Sequence, residues 1–226
     1  MVIAAKALMW QLAVWLLSFL VLFLPAGRLT WLEGWTFFLV FFGFVLLLSG
    51  WLLRHDGSLL AERLTIFKTG QPGWDRVWLG AFYLLSLAWL ALMPLDAARW
   101  HWSQMPVFLQ GIGLLLLLCS LSGVFVTIRE NRYLSPVVRL QEERGQTVIS
   151  SGPYRYIRHP LYAAASLFYV GVPLLMGAWS GLALSTLFIG LMAYRAVQEE
   201  HLLCSGLAGY DRYLKQVRRR FIPWIW

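Results

Sequence analysis

The sequence predicts an all-α integral membrane protein, a bundle of about five to six transmembrane helices that ends in a C-terminal helical hairpin. Three observations carry this. The 226 residues are 59% hydrophobic and only 13% charged, far from the balance of a soluble domain. Four apolar runs, 7–24, 35–53, 77–95 and 105–128, approach or exceed the roughly 20 helical residues that cross a bilayer. Two shorter runs follow, Pro160–Met176 and 181–197, separated only by GAWS.

The first run follows Lys6 and is nearly continuous over 7–24. It exceeds the usual apolar core of a signal peptide, and PAGRLT beyond it offers no small-x-small cleavage site, so it reads as a retained helix. After the second run, the loop 52–76 mixes apolar and charged residues before the breaker QPG. A short helix over 58–67 lying in the interface accounts for that mixture, with Trp74 as a boundary anchor.

The third run, 77–95, and the fourth, 105–128, are plain spans. The fourth contains GIGLLLLLCSLSG, whose glycines lack the spacing and preceding strand of a nucleotide cradle. They predict close packing of helices instead. The hairpin arms are short, which calls for tight packing or slight bilayer thinning, and GAWS is a turn with Trp179 at the interface. No internal repeat or linker divides the chain, so 1–226 is one membrane domain. Residues 1–128 hold the four N-terminal spans, and 129–226 hold the hairpin, its flanking motifs and a basic tail.

Orientation follows from the cations. Of the 19 Lys and Arg, only Arg28 and Arg99 lie outside Lys6 and the segments 54–76, 129–158 and 195–220. The positive-inside rule puts both termini and those three segments in the cytoplasm, and the cell (inner) membrane is the expected location. The net charge of +8 is therefore topology signal with some attraction for anionic lipid. It is not the stacking-aromatic, basic face of a nucleic-acid binder. Cys119 and Cys204 form no C-x-x-C pair and no His cluster has metal spacing, so neither a disulfide nor a metal site is expected.

The motif SGPYRYIRHPLY, 151–162, opens the hairpin. Gly152-Pro153 marks a turn, and the residue before a proline is pushed away from α geometry. His159 is thus expected at an N-cap, with Pro160 at the first helical position. The helix start offers free N–H groups and partial positive charge, and with Arg155, Arg158 and His159 it forms a carboxylate or phosphate site. At 1.5 Å per residue each arm covers about 25 Å, so YRAVQEEHLL returns to the depth of His159. Arg195, Glu199 and Glu200 should face the RHP turn, with Tyr154, Tyr156, Tyr162 and Tyr194 between. A simple i,i+4 ion pair of Arg195 with Glu199 explains those two residues equally well. A ligand with a carboxylate, hydroxyls and an aromatic base fits such a site, and so does a zwitterionic lipid headgroup.

GPYRYIRHPLY, RAVQEEHLL and GYDRYLKQVRRRFIP, in that order and spacing, resemble the isoprenylcysteine carboxyl methyltransferase family, itself similar to the phospholipid N-methyltransferases. The resemblance covers about the last 75 residues, with a weaker echo in LLAERLTIFKTGQPGWDR. It implies S-adenosyl-L-methionine as cofactor, with S-adenosyl-L-homocysteine as product. Tyr154, Arg158, His159, Pro160, Tyr162, Glu199 and Glu200 would surround that cofactor, and Arg195 and Glu200 would be catalytic. Arg195 would orient an acidic acceptor, and Glu199 or Glu200 would accept hydrogen bonds from ribose hydroxyls or the amino group. Methyl transfer from a sulfonium needs alignment and exclusion of water, with no metal or covalent nucleophile.

The expected partners are a lipophilic acceptor entering from the bilayer and membrane lipid itself. No nucleic acid and no obligate protein partner is inferred. Carboxylate, amine, thiol and quinol acceptors all remain open. The tail 210–226 is expected as an amphipathic helix over the cytoplasmic mouth, with Tyr210 and Tyr213 inward, Arg218, Arg219 and Arg220 on lipid phosphates, and IPWIW returning to the membrane. The competing class is a non-catalytic lipid-binding or transport-associated protein, which the lack of charge near mid-membrane disfavours on the transport side.

Overall fold

The computed structural model describes residues 2–65, 68–221 and 226. Eight α-helices lie among them: α1 Val2–Ala26, α2 Leu32–His55, α3 Gly57–Arg63, α4 Gly73–Pro94, α5 Val107–Glu130, α6 Pro160–Met176, α7 Trp179–Gly206 and α8 Tyr210–Gln216. The protein is an all-helical membrane bundle. Helices α1, α2, α4, α5 and α7 are long and apolar enough to span, and α6 is a shorter apolar helix of 17 residues.

The spans keep their expected order, with shifted ends that have local causes. Helix α5 starts at Val107 rather than residue 105 because Pro106 is its N-cap, with ψ 138, and the residue before a proline avoids α geometry. A π-helical turn, Leu95–Arg99, extends α4. Helix α7 continues to Gly206, nine residues past the apolar run, so Glu199, Glu200 and Cys204 lie on the helix itself. Within GAWS, Gly177 adopts φ 77 and caps α6, while Trp179 already opens α7.

The short α6 is held by close backbone approach. A Cβ at Gly113 would collide with Leu175 N and Gly171 O, and one at Gly171 would lie 2.9 Å from Leu116 Cβ and Leu117 N. Ser120 Oγ donates to Ala164 O across the same seam at 2.7 Å. This is small-residue packing of the kind that joins helices in lipid. An aromatic core fills the centre, with Tyr169 stacked on Phe188 at 4.3 Å and Trp89 donating to Gly181 O at 2.9 Å.

The interfacial helix expected over 58–67 is shorter, because Asp56 caps α3 through Leu59 N at 2.9 Å and the helix stops at Leu64. Phe67 lies outside the described residues. Leu59 and Leu60 of α3 pack on Leu52 and Ile128 of the bundle. The tail also differs from a single amphipathic helix: α8 covers only Tyr210–Gln216. Residues 217–221 then run against the RHP turn, where Arg158 N donates to Arg219 O at 2.9 Å and His159 N to Arg220 O at 2.8 Å. The expected return of IPWIW to the membrane falls at 222–225, outside the described residues.

Candidate active site

At the end of the bundle that holds His55, Glu130 and Pro160 lies a cavity whose empty space, mouth included, is about 1040 Å³. One wall is the RHP turn with the start of α6, a second is α7, and α8 closes a third. The fourth is the connection between α5 and the motif, from Asn131 to Ile149.

The RHP wall is built as the local sequence dictates. Gly152 takes φ 54, and a Cβ there would meet the Glu130 carboxyl at 2.8 Å. This position therefore needs glycine. His159 is the N-cap of α6 at φ -122, ψ 65, and Pro160 is at its first position. The His159 ring stacks on Tyr162 at 5.3 Å, and the Tyr162 hydroxyl donates to Glu199 Oε2 at 2.8 Å. Both Tyr162 and Glu199 face the cavity.

Arg158 and Glu200 form a buried, two-point pair, Nε to Oε1 at 2.6 Å and Nη2 to Oε2 at 3.3 Å. His159 Nε2 is 3.1 Å from Glu200 Oε1, and Arg220 Nε donates to Oε2 at 3.0 Å. Arg158 spends its remaining Nη1 on Val217 O at 2.8 Å. Glu200 is thus absent from the cavity lining. Three cationic or titratable partners converge on its two oxygens, so it locks the RHP turn to the tail. Arg220 faces this carboxylate, where lipid phosphate was expected, and its guanidinium stacks 4.4 Å from the Trp226 ring.

Arg195 lines the cavity from α7, but its partner is not Glu199. Its Nε donates to Asp75 Oδ1 at 2.9 Å, its Nη2 to Pro136 O at 2.8 Å, and its guanidinium lies 4.6 Å over the Trp78 ring. Asp75 is fully buried. It also accepts from Gln71 Nε2 at 2.8 Å and Val138 N at 3.0 Å, tying α4, the connection and α7 together at one carboxylate.

Tyr154 is buried against the opposite side. Its hydroxyl accepts from Asn131 Nδ2 at 2.9 Å, and its carbonyl accepts from the Tyr213 hydroxyl at 2.8 Å. Tyr210 and Tyr213 are both turned inward onto the cavity. Burial pushes the phenols of Tyr154, Tyr210 and Tyr213 above the ordinary tyrosine range, so these phenols stay neutral. Tyr156 and Tyr194 are 73% and 52% exposed and point away from the site, as does the exposed Arg155.

The structure therefore brings Tyr154, Arg158, His159, Pro160, Tyr162, Arg195 and Glu199 to one cavity and sets Glu200 behind it. Asp75, Gln71 and Arg63 lie in LLAERLTIFKTGQPGWDR, the stretch of weaker resemblance in which no residue was given a role, and the 131–149 wall had no motif to announce it. Asp75 could have been suspected as an acid two residues before an apolar span. No curated protein matches the chain. Residues 108–205, which carry α5, the RHP turn, Arg195, Glu199 and Glu200, match the family model of phospholipid methyltransferases.

Proposed function

We propose that the chain is a membrane methyltransferase that uses S-adenosyl-L-methionine and methylates a lipophilic or amphipathic acceptor. The observation that carries this reading is the cavity at the RHP turn, with Glu199 and the start of α6 on one side and buried tyrosines on another, inside the segment that matches the phospholipid methyltransferase model.

The residues present fit the cofactor's chemistry. Glu199 is an acceptor for ribose hydroxyls or an amino group, and the rings of Tyr154, Tyr162, Tyr210 and Tyr213 offer π faces to a base or a cationic sulfur. When bound, the cofactor supplies an electrophilic methyl on a sulfonium for an acceptor heteroatom. The chain's part is alignment and dryness: Tyr162 fixes Glu199, Asp75 fixes Arg195, and α8 closes one wall of the cavity. Arg195 orients the acceptor, and Glu200 acts through Arg158 and His159 as a positioning residue.

A lipophilic acceptor is supported by an apolar groove on the outer face of α5 and α6. Cys119, Val126, Ala163 and Leu167 line it, and Pro160 lines both the groove and the cavity. A chain lying there would place its polar head at the site from within the bilayer, with both termini cytoplasmic under the positive-inside rule. A prenylcysteine carboxylate and a phospholipid amine are both acceptors of this shape.

Calorimetric titration of the detergent-purified protein with S-adenosyl-L-homocysteine tests the reading. Saturable micromolar binding, weakened in Glu199→Gln, is expected. A folded sample that binds neither this product nor the cofactor would overturn it in favour of a lipid-binding protein.

A further inference from the structure

Four arginines line the cavity: Arg63, Arg139, Arg158 and Arg195. Three have their own carboxylate. Arg139 is paired with Glu62 at 3.2 Å and Glu143 at 2.7 Å, Arg158 with Glu200 at 2.6 Å, and Arg195 with Asp75 at 2.9 Å.

Arg63 differs. Its one hydrogen bond among the described residues runs from Nη1 to Leu134 O at 3.1 Å, and no described carboxylate lies within ion-pair distance of it. Glu199, the acid that lines the cavity, is engaged by the Tyr162 hydroxyl. Guanidinium does not lose its proton in proteins, and Arg63 is half-buried at the cavity, where a cation partly withdrawn from water gains from an anionic partner. Burial pushes the Arg63 guanidinium below its ordinary value, the direction expected where that partner is missing.

The helix that carries it is also held in place. Arg63 is the last residue of α3, whose start is fixed by Asp56 and whose Leu59 and Leu60 are packed on the bundle. The fork of N–H groups matches an oxyanion in two-point geometry.

We propose that Arg63 is an anion subsite of this cavity, receiving a carboxylate or phosphate oxygen of the bound ligand. The proposal rests on the reading of the cavity as the ligand site. It lies outside the 108–205 segment shared with the family model. The anion has two possible sources, the cofactor's amino-acid carboxylate and an acidic group on the acceptor.

The test uses the full chain in neutral detergent, as wild type, Arg63→Gln and Arg63→Lys, with three probes. These are S-adenosyl-L-homocysteine, 5′-methylthioadenosine (which keeps the nucleoside but has no carboxylate) and dodecyl phosphate. Losing a charge-assisted hydrogen bond weakens binding by about tenfold or more. Arg63→Gln is expected to weaken one anionic probe by that factor, leave 5′-methylthioadenosine unchanged, and be partly rescued by Arg63→Lys. Loss confined to S-adenosyl-L-homocysteine assigns the cofactor carboxylate to Arg63, and loss confined to dodecyl phosphate assigns the acceptor's anion. Wild-type binding of dodecyl phosphate through Arg63 without any nucleoside binding would end the methyltransferase reading and leave the subsite standing. Equal affinities of Arg63→Gln and wild type for both anionic probes, equal loss of all three probes, or no binding of any probe by wild type would overturn the subsite.

Discussion

Asp75 and Arg195, 120 residues apart in sequence, are joined by a 2.9 Å hydrogen bond between Oδ1 and Nε in the buried wall of the cavity. The same carboxylate holds Val138 N and Gln71. The position of Arg195 therefore depends on a helix that the family match does not reach.

Asp75→Asn should remove the charge that balances Arg195 while preserving shape. Breaking a buried pair from one side costs about 3–5 kcal/mol. The expected outcome is a lower melting temperature in detergent together with loss of acceptor turnover, measured by thermal unfolding and methyl-transfer assay. An unchanged melt would show that the pair does not stabilise the fold.

Glu200→Gln should free Arg158 and Arg220 and loosen residues 217–221 from the RHP turn. Tryptic cleavage within that tail is expected to become several-fold faster, read by mass spectrometry of timed digests. S-adenosyl-L-homocysteine affinity should fall in parallel, although Glu200 does not line the cavity. A tail as resistant as wild type would contradict the locking role.

Gly113→Ala places a methyl group against the backbone of Leu175 and Gly171, where no flexible side chain can yield. Overpacking of this kind costs about 1–3 kcal/mol. Thermal unfolding should register it, whereas Gly111→Ala, with open space around it, should be nearly silent.

The three buried phenols set an alkaline limit. An unfolded tyrosine ionises near pH ~10, and the folded values of Tyr154, Tyr210 and Tyr213 lie higher. Their contribution to stability is fully present below about pH 10 and is lost as pH rises through the folded values. Tyrosinate absorbance should accordingly show these residues titrating only as the structure is lost. Three normal titrations in the folded protein would show that these phenols are not buried.

Orientation is open to direct labelling. Cysteines placed at Trp179 and Arg155, at opposite ends of the bundle, should react with impermeant reagents from opposite sides of the membrane, Arg155 from the cytoplasm. Labelling of both from one side would overturn the topology.

The order of the spans and the hairpin were legible in the sequence because they follow from local properties, the length of apolar runs and the rise per residue, whereas the ends shifted, α7 running nine residues past its apolar run. The same logic placed His159 at an N-cap and brought Glu199 back beside Tyr162. Spacing also suggested an ion pair within α7, but Arg195 turned instead to Asp75, and Glu200 turned to Arg158, His159 and Arg220. Those choices depend on which helices pack side by side, and charges removed from water take the partners that packing brings within reach. The sequence alone thus determined a membrane bundle with its chemistry gathered at one end. Only the tertiary structure decided which cations are already neutralised, and that Arg63 faces the cavity without a described carboxylate of its own.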